Sequence, residues 1–202
     1  MPIQIGAKPE NDFTTPLGLL SDCHRRIEKF LDQLQRITEE RHGGELTESH
    51  RAALETALNY FQRAAPLHTR DEEESLFPRM REIGGARAEA AFAALSALEA
   101  DHDAADAAHA EVDILGRKWL AEGRLTEPEA VRLGALMASL QELYARHIAV
   151  EDAQVFLLAA EILSAEEIRR LGREMALRRG LNPDRLPMTS HYPIRKLNGH
   201  SA

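Results

Sequence analysis

The apolar residues of the chain fall into stripes of helical period. Leu17, Leu20, His24, Ile27, Leu31 and Leu34 follow one another at intervals of three and four. A second stripe runs Leu54, Leu58, Phe61, Ala65, His68, Glu72 and Leu76. A third runs Leu95, Leu98, His102, Ala105, His109 and Val112. A fourth runs Leu133, Leu136, Leu140, Leu143, His147, Glu151, Val155 and Leu158. Such spacing lays each set on one face of an α-helix.

The residues between the stripes punctuate them. Thr15-Pro16 reads as N-cap and first helical residue, and the first helix runs to about Glu40 before Gly43-Gly44 stops it. Thr47 caps the second. Pro66 lies inside that helix and deletes one backbone hydrogen bond, which predicts a bend just ahead of His68. Pro78 stands near its end, before Gly84-Gly85. The third helix spans about Ala86 to Ala121, ended by Gly123. Thr126 with Glu129 forms a capping box for the fourth, with Pro128 in its first turn. Ser164 with Glu167 opens a short fifth helix that Gly180 closes. No stretch reads as a strand. The expectation is an all-α, up-down-up-down four-helix bundle over residues 15–162. An extended lead-in (1–14) precedes it, and a short helix with an irregular, proline-bearing tail (163–202) follows.

Each of the four long helices places one histidine on its core face. Counting from turn centres near residues 44, 84 and 124, His24 and His68 lie about 20 and 24 residues from the first turn. His68 and His102 lie about 16 and 18 from the second, His102 and His147 about 22 and 23 from the third; at about 1.5 Å of rise per residue all four reach nearly one height. The halves also repeat. His68 and His147, Glu72 and Glu151, and Phe77 and Phe156 are each 79 residues apart, and His24 and His102 are 78 apart. The chain therefore reads as two helical hairpins, each with His on its first helix and His-x-x-x-Glu on its second.

Composition narrows the partners. With 202 residues, 44% hydrophobic and 29% charged, the chain is long enough for one domain with a real core. The net charge of −8 and the absence of a basic stripe in the bundle region argue against nucleic acid. A single cysteine, Cys23, rules out an intramolecular disulfide and fits a reducing cytoplasm. No apolar run reaches the roughly 18 residues of a membrane span, and the first residues lack the regions of a signal peptide. The expectation is a cytoplasmic protein that contacts neither membrane nor nucleic acid.

Imidazole and carboxylate one helical turn apart can grip one metal ion, or two ions that share the carboxylate. This borderline ligand set suits iron, manganese or zinc. The candidate ligands are His24, His68, His102 and His147 as terminal groups, with Glu72 and Glu151 bridging. Glu28 and Asp106 follow His24 and His102 at i+4, as additional ligands or as acceptors that orient a ring N–H, or as solvated acids. Glu73 and Asp152 are alternative bridging residues. His109 lines the pocket or stands toward one end of the bundle. The Tyr60 and Tyr144 phenols face a bound ligand or pack in the core. Cys23 points about 100° away from His24 around the helix. Phe77 and Phe156 are read as walls of the site, and His42, His50, His191 and His200 as surface residues.

At His24, His68-x-x-x-Glu72 with Leu76-Phe77-Pro78, His102 and His147-x-x-x-Glu151, the sequence resembles the hemerythrin-like family of HHE cation-binding domains, over roughly residues 14–160. The resemblance implies a four-helix bundle and two non-haem iron ions, with or without an oxo bridge between them. In hemerythrin itself the third helix carries His-x-x-x-His. Here it carries His102-x-x-x-Asp106, so the fifth histidine is absent at the matching position, which tells against reversible oxygen carriage. The four-His, two-Glu pattern looks closer to the mycobacterial hemerythrin-like proteins and to the bacterial proteins that repair iron centres, though the cysteine pair in the N-terminal segment of the latter is missing. The implied function is a di-iron protein that binds or reacts with a small ligand, oxygen, nitric oxide or peroxide, in sensing or redox-stress handling. The alternatives are iron storage or delivery, repair of iron centres, a di-iron peroxide-decomposing enzyme, and a zinc or metal-free bundle used for protein contacts.

Overall fold

The computed structural model describes residues 11–83 and 86–185, with backbone alone for 86–92. Among the described residues there is no strand. The elements are α1 (Pro16–Arg41), α2 (Glu48–Arg63), α3 (Ala65–Asp71), α4 (Phe77–Ile83), α5 (Ala86–Glu122), α6 (Glu127–Val150), α7 (Phe156–Ile162) and α8 (Ala165–Arg178). A π turn joins α3 to α4 (Glu72–Leu76), and a second joins α6 to α7 (Glu151–Val155). The fold is the expected all-α bundle. α1 packs on α2 and α6, and α5 packs on the same two, so α1 and α5 stand on one diagonal of an antiparallel square.

The long second helix is interrupted where the proline falls. Pro66 has no N–H to offer Gln62, and the helical ladder breaks at Ala64 before α3 restarts. Thr15 occupies the N-cap position of α1 but does not cap with its side chain. Its hydroxyl instead accepts from the Asp12 N–H at 3.1 Å, within a turn closed by Thr15 N–H to the Asp12 carbonyl. The other caps form as their sequences direct. Thr47 Oγ1 accepts from His50 N–H at 3.2 Å, Glu129 from Thr126 N–H at 3.0 Å, and Glu167 from Ser164 N–H at 2.6 Å.

The α1–α2 and α5–α6 turns lie side by side. The chain leaves α1 through two left-handed residues, His42 and Gly43, at φ 45° and 75°. This turns the Gly43 and Gly44 carbonyls toward the neighbouring connection. Leu125 N–H donates to Gly43 O, and the indole of the fully buried Trp119 donates to Gly44 O, both at 2.8 Å. One apolar cluster fills this half, from Ile27, Phe30 and Leu58 to Trp119, Leu136 and Ile148. A second fills the opposite half, from Leu20, Leu76 and Phe77 to Leu98, Phe156 and Met175.

α8 closes the second half. It folds back on α1 and α3 and buries Leu171, Gly172, Met175 and Ala176. Gly172 makes the approach feasible, because a Cβ there would lie 1.9 Å from the Phe13 carbonyl oxygen. Of the tail, Pro183–Arg185 form a single 3-10 turn, and residues 186–202, with His191 and His200, lie outside the described residues, as do residues 1–10 of the lead-in.

Candidate metal centre

Between the two apolar clusters lies one polar layer. His24, His68, His102, His147, Glu72 and Glu151 are all buried, both glutamates and His24 fully. The helices meet here as their histidine heights require. α1 supplies His24, α3 His68, α5 His102 and α6 His147, while each glutamate opens a π turn. In these turns the Phe77 N–H bonds back to the Glu72 carbonyl, and Phe156 N–H to that of Glu151, five residues away instead of four. The extra residue widens the helix locally, a feature that recurs at functional sites. Here it lets the apolar pairs Leu76-Phe77 and Val155-Phe156 both turn inward.

All four Nε2 atoms converge on the carboxylates. His68 Nε2 is 3.3 Å from Glu72 Oε1 and His24 Nε2 3.9 Å from it, while His102 Nε2 is 3.5 Å from Glu72 Oε2. Glu151 Oε2 lies 3.0 Å from His24 Nε2 and 3.2 Å from His147 Nε2. Two overlapping groups emerge: His24, His68, Glu72 and Glu151, and His102, His147 and Glu151. Phe156 stacks on His24 (centroids 5.3 Å, planes 13° apart) and Phe77 lies parallel to His102 at 6.4 Å. The two phenylalanines therefore seal the layer on the α8 side.

The donor set fits cations. Among the described residues, all four carboxylate oxygens of Glu72 and Glu151, and His24 Nε2, are buried without a hydrogen-bond partner, although ion-pair distances surround them. Unpaired buried carboxylates are costly, and a divalent ion supplies the missing positive charge. Without it the layer divides its protons unequally. Burial, then the Glu151 charge, pushes the Glu72 carboxyl well up. Burial pushes Glu151 up too, but the close imidazoles of His147 and His24 more than offset this and hold it low. Burial, then the neighbouring imidazoles, drives His68 well down. Burial also lowers His24, yet the hydrogen bond to Asp152 and the nearby Glu151 carboxylate carry it above its ordinary value.

Of the alternatives left open for Glu28 and Asp106 the structure takes the solvated one, whereas Glu73 and Asp152 take a part not expected. Glu28 and Asp106 are exposed and take no part in the layer. The Nδ1 sides of His24 and His102 face neighbouring helices, not their own next turn, so the i+4 acids point past them into solvent. Glu73 and Asp152, considered above as bridging groups, instead reach those Nδ1 atoms: Glu73 Oε1 lies 2.8 Å from His102 Nδ1 and Asp152 Oδ1 3.0 Å from His24 Nδ1. His109 bonds through Nε2 to the Tyr144 hydroxyl at 3.2 Å and stacks on Phe61 at 4.2 Å, on the far side of the layer from the phenylalanines. Tyr60 packs on Phe30 with its hydroxyl 3.5 Å from the Cys23 carbonyl. Cys23 is a buried free thiol, and burial pushes its pKa up. His42 is exposed, and His50 pairs with Glu40 at 3.2 Å.

One contact was not anticipated. Asp71, immediately before Glu72, is fully buried and meets both Arg178 and Arg179 from the end of α8. No helical periodicity links residues 107 apart. The one trace in sequence is an acid on the apolar side of the second stripe.

Fold and layer together define a class of protein, an all-α bundle with a candidate cation site at its centre. The chain belongs to the hemerythrin family, the hemerythrin HHE cation-binding domain, whose pattern matches residues 15–159. It is also similar to a protein of Haemophilus influenzae described only as uncharacterized, with 30% identity over 171 residues, covering 81% of this chain and 90% of the other. α8 lies beyond the residues matched by the family.

Proposed function

We propose that the protein is a non-haem di-iron protein whose centre binds or reacts with oxygen, nitric oxide or peroxide, in sensing or in handling redox stress. The observation that carries this reading is the convergence of four Nε2 atoms on two buried carboxylates whose oxygens have no hydrogen-bond partner. His24 and His68 would hold one ion, His102 and His147 the other, with Glu72 and Glu151 between them. Iron is favoured by family membership, and the ligand set accommodates it. Iron bound there would supply a one-electron redox couple and, with six protein ligands for two ions, open coordination positions. The protein's own contribution is a fixed ligand geometry, a dry apolar shell from Phe77 and Phe156, and neutralising carboxylates. We place it in the cytoplasm from its single cysteine, with no nucleic-acid partner given its acidic charge. Among the described residues no helix is long and apolar enough to cross a membrane.

Elemental analysis tests the site. About two irons per chain are expected, in line with a bundle that holds di-iron carboxylate sites, and His147→Ala or Glu72→Ala should lose them. Iron-replete protein with both substitutions in place would refute the assignment. The role is tested by loading ferrous iron without oxygen, admitting oxygen, then removing it. A visible spectrum that changes and reverts means reversible binding. A change that persists moves the reading to sensing or peroxide chemistry, and no change refutes reaction with oxygen.

A further inference from the structure

The two carboxylates that follow the bridging glutamates have no role in the ligand set, yet they occupy equivalent places. Glu73 and Asp152 are 79 residues apart, the same interval that separates Glu72 from Glu151. Each sits second in its π turn. Each reaches across to a histidine of the other hairpin: Asp152 on the second hairpin to His24 on the first, Glu73 on the first to His102 on the second. Among the described residues, His68 Nδ1 has no hydrogen-bond partner. His147 Nδ1 has none either, its nearest acid being Asp101 at 3.5 Å. One histidine of each candidate ion pair is thus backed by a carboxylate and the other is not.

Asp152 is itself fixed. Asp152 Oδ1 accepts from Ser21 Oγ at 2.8 Å, and its Oδ2 accepts from Arg25 Nη1 at 2.9 Å, so its orientation is set from α1. Both carboxylates are partly exposed, Glu73 at 35% and Asp152 at 24%, unlike the fully buried Glu72. An imidazole that donates Nδ1–H to a carboxylate is locked in one tautomer and one ring orientation, with the Nε2 lone pair free and more basic. In both rings it is Nε2 that faces the bridging glutamates.

The geometry points to Glu73 and Asp152 as positioning residues that aim His24 and His102 at the two metal ions, each hairpin orienting the other's first histidine. The π turn is the device that makes this possible. It opens the helix so that consecutive residues serve two purposes, the first facing the ions and the second facing a ring across the bundle. The inference rests on the six-residue site proposed above.

The test uses the full chain and three measurements. Ferrous iron affinity is read anaerobically against a competing chelator. Ring N–H protons are read by NMR on zinc-loaded protein with 15N-labelled histidine. Melting of the metal-free protein checks the fold. Asp152→Ala is expected to weaken one of two metal equivalents about 10- to 100-fold and to remove the hydrogen-bonded His24 N–H signal while leaving that of His102. Glu73→Ala should do the converse. Asp152→Asn and Glu73→Gln, whose amide oxygens still accept, should restore the ring signal and most of the affinity. A purely structural role would not give this exchange of signals or this rescue. Should an alanine variant fail to fold, Asp152→Ser, polar but too short to reach the ring, takes its place. Two metals bound by the parent with affinity and ring signals unchanged in the variants would overturn the positioning role alone. No metal bound by the parent would overturn it together with the site.

Discussion

Arg178→Ala probes the attachment of α8 to the site. Asp71 is fully buried, and Arg178 meets its Oδ1 while donating a second bond to Ser75 Oγ at 2.9 Å. Arg179 Nη2 lies 2.7 Å from the other oxygen, but that oxygen has no aligned hydrogen bond. Truncating Arg178 therefore removes the aligned half of the clamp and leaves a buried carboxylate with one poorly directed cation. Removing one partner of a buried pair costs about 3–5 kcal/mol, and the surviving arginine places this case at about 3. For a chain of this size about 2–4 °C of melting temperature accompanies each kcal/mol, so a fall of about 6–12 °C is expected. The assay is thermal unfolding of metal-free protein followed by circular dichroism. Asp71→Asn in the same background needs no counter-cation, so the double variant should lose less than the sum of the single losses. Hydrogen exchange separates global from local loss, because undocking of α8 alone would expose its amides and spare those of α5. A single variant that melts within about 2 °C of the parent, with α8 amides still protected, would refute the clamp.

Three further outcomes are expected. Gly172→Ala places a methyl group 1.9 Å from the Phe13 carbonyl oxygen; the clash is with backbone, so α8 should shift away and the melting temperature should fall, as read by calorimetry. Burial lowers the His109 pKa from 6.5 to about 4. Its neutral form is favoured by the fold, so stability is full above pH 6.5 and declines toward pH 4 as the unfolded chain alone takes up the proton, by on the order of 3 kcal/mol; urea titrations across that window should show His109→Leu losing this slope. Ferrous iron added without oxygen at a hundredfold excess over its dissociation constant should stabilise the fold by about 2.7 kcal/mol per site, and a chelator should reverse the gain in melting temperature.

The helices and the histidine layer were legible because both depend on local periodicity. An apolar stripe interrupted by His24 or His147 reads as helix whatever surrounds it, and four stripes with short turns leave few ways to pack. The six converging residues follow from helix rise alone. What stayed hidden depends on contacts between helices. Glu28 and Asp106 had the right spacing, but spacing on one helix does not say which side of the ring a neighbour will occupy, and Asp152 and Glu73 occupy it. The clamp between Asp71 and α8 spans 107 residues and has no periodic signature. The π turns left one sign in the sequence, the adjacent apolar residues Leu76-Phe77 and Val155-Phe156, which a strict interval of three or four does not accommodate.

Those turns bear on how the chain can change. A π turn is an α-helix with one residue too many. Deleting Glu73 or Asp152 would restore the regular ladder and strengthen the helix as a helix. The residues beyond would keep their facing, because the fifth residue of a π turn stands where the fourth of an α turn does, but the carboxylate that reaches His102 or His24 Nδ1 would be lost. Drift toward a better helix is therefore opposed at two points by one carboxylate each. Deletion of Glu73 or Asp152 should weaken the site through one histidine ring, whereas a deletion in the α1–α2 turn should cost only stability. A descendant that has lost one π turn can be recognised from its length between His68 and Pro78, before any ligand is missing.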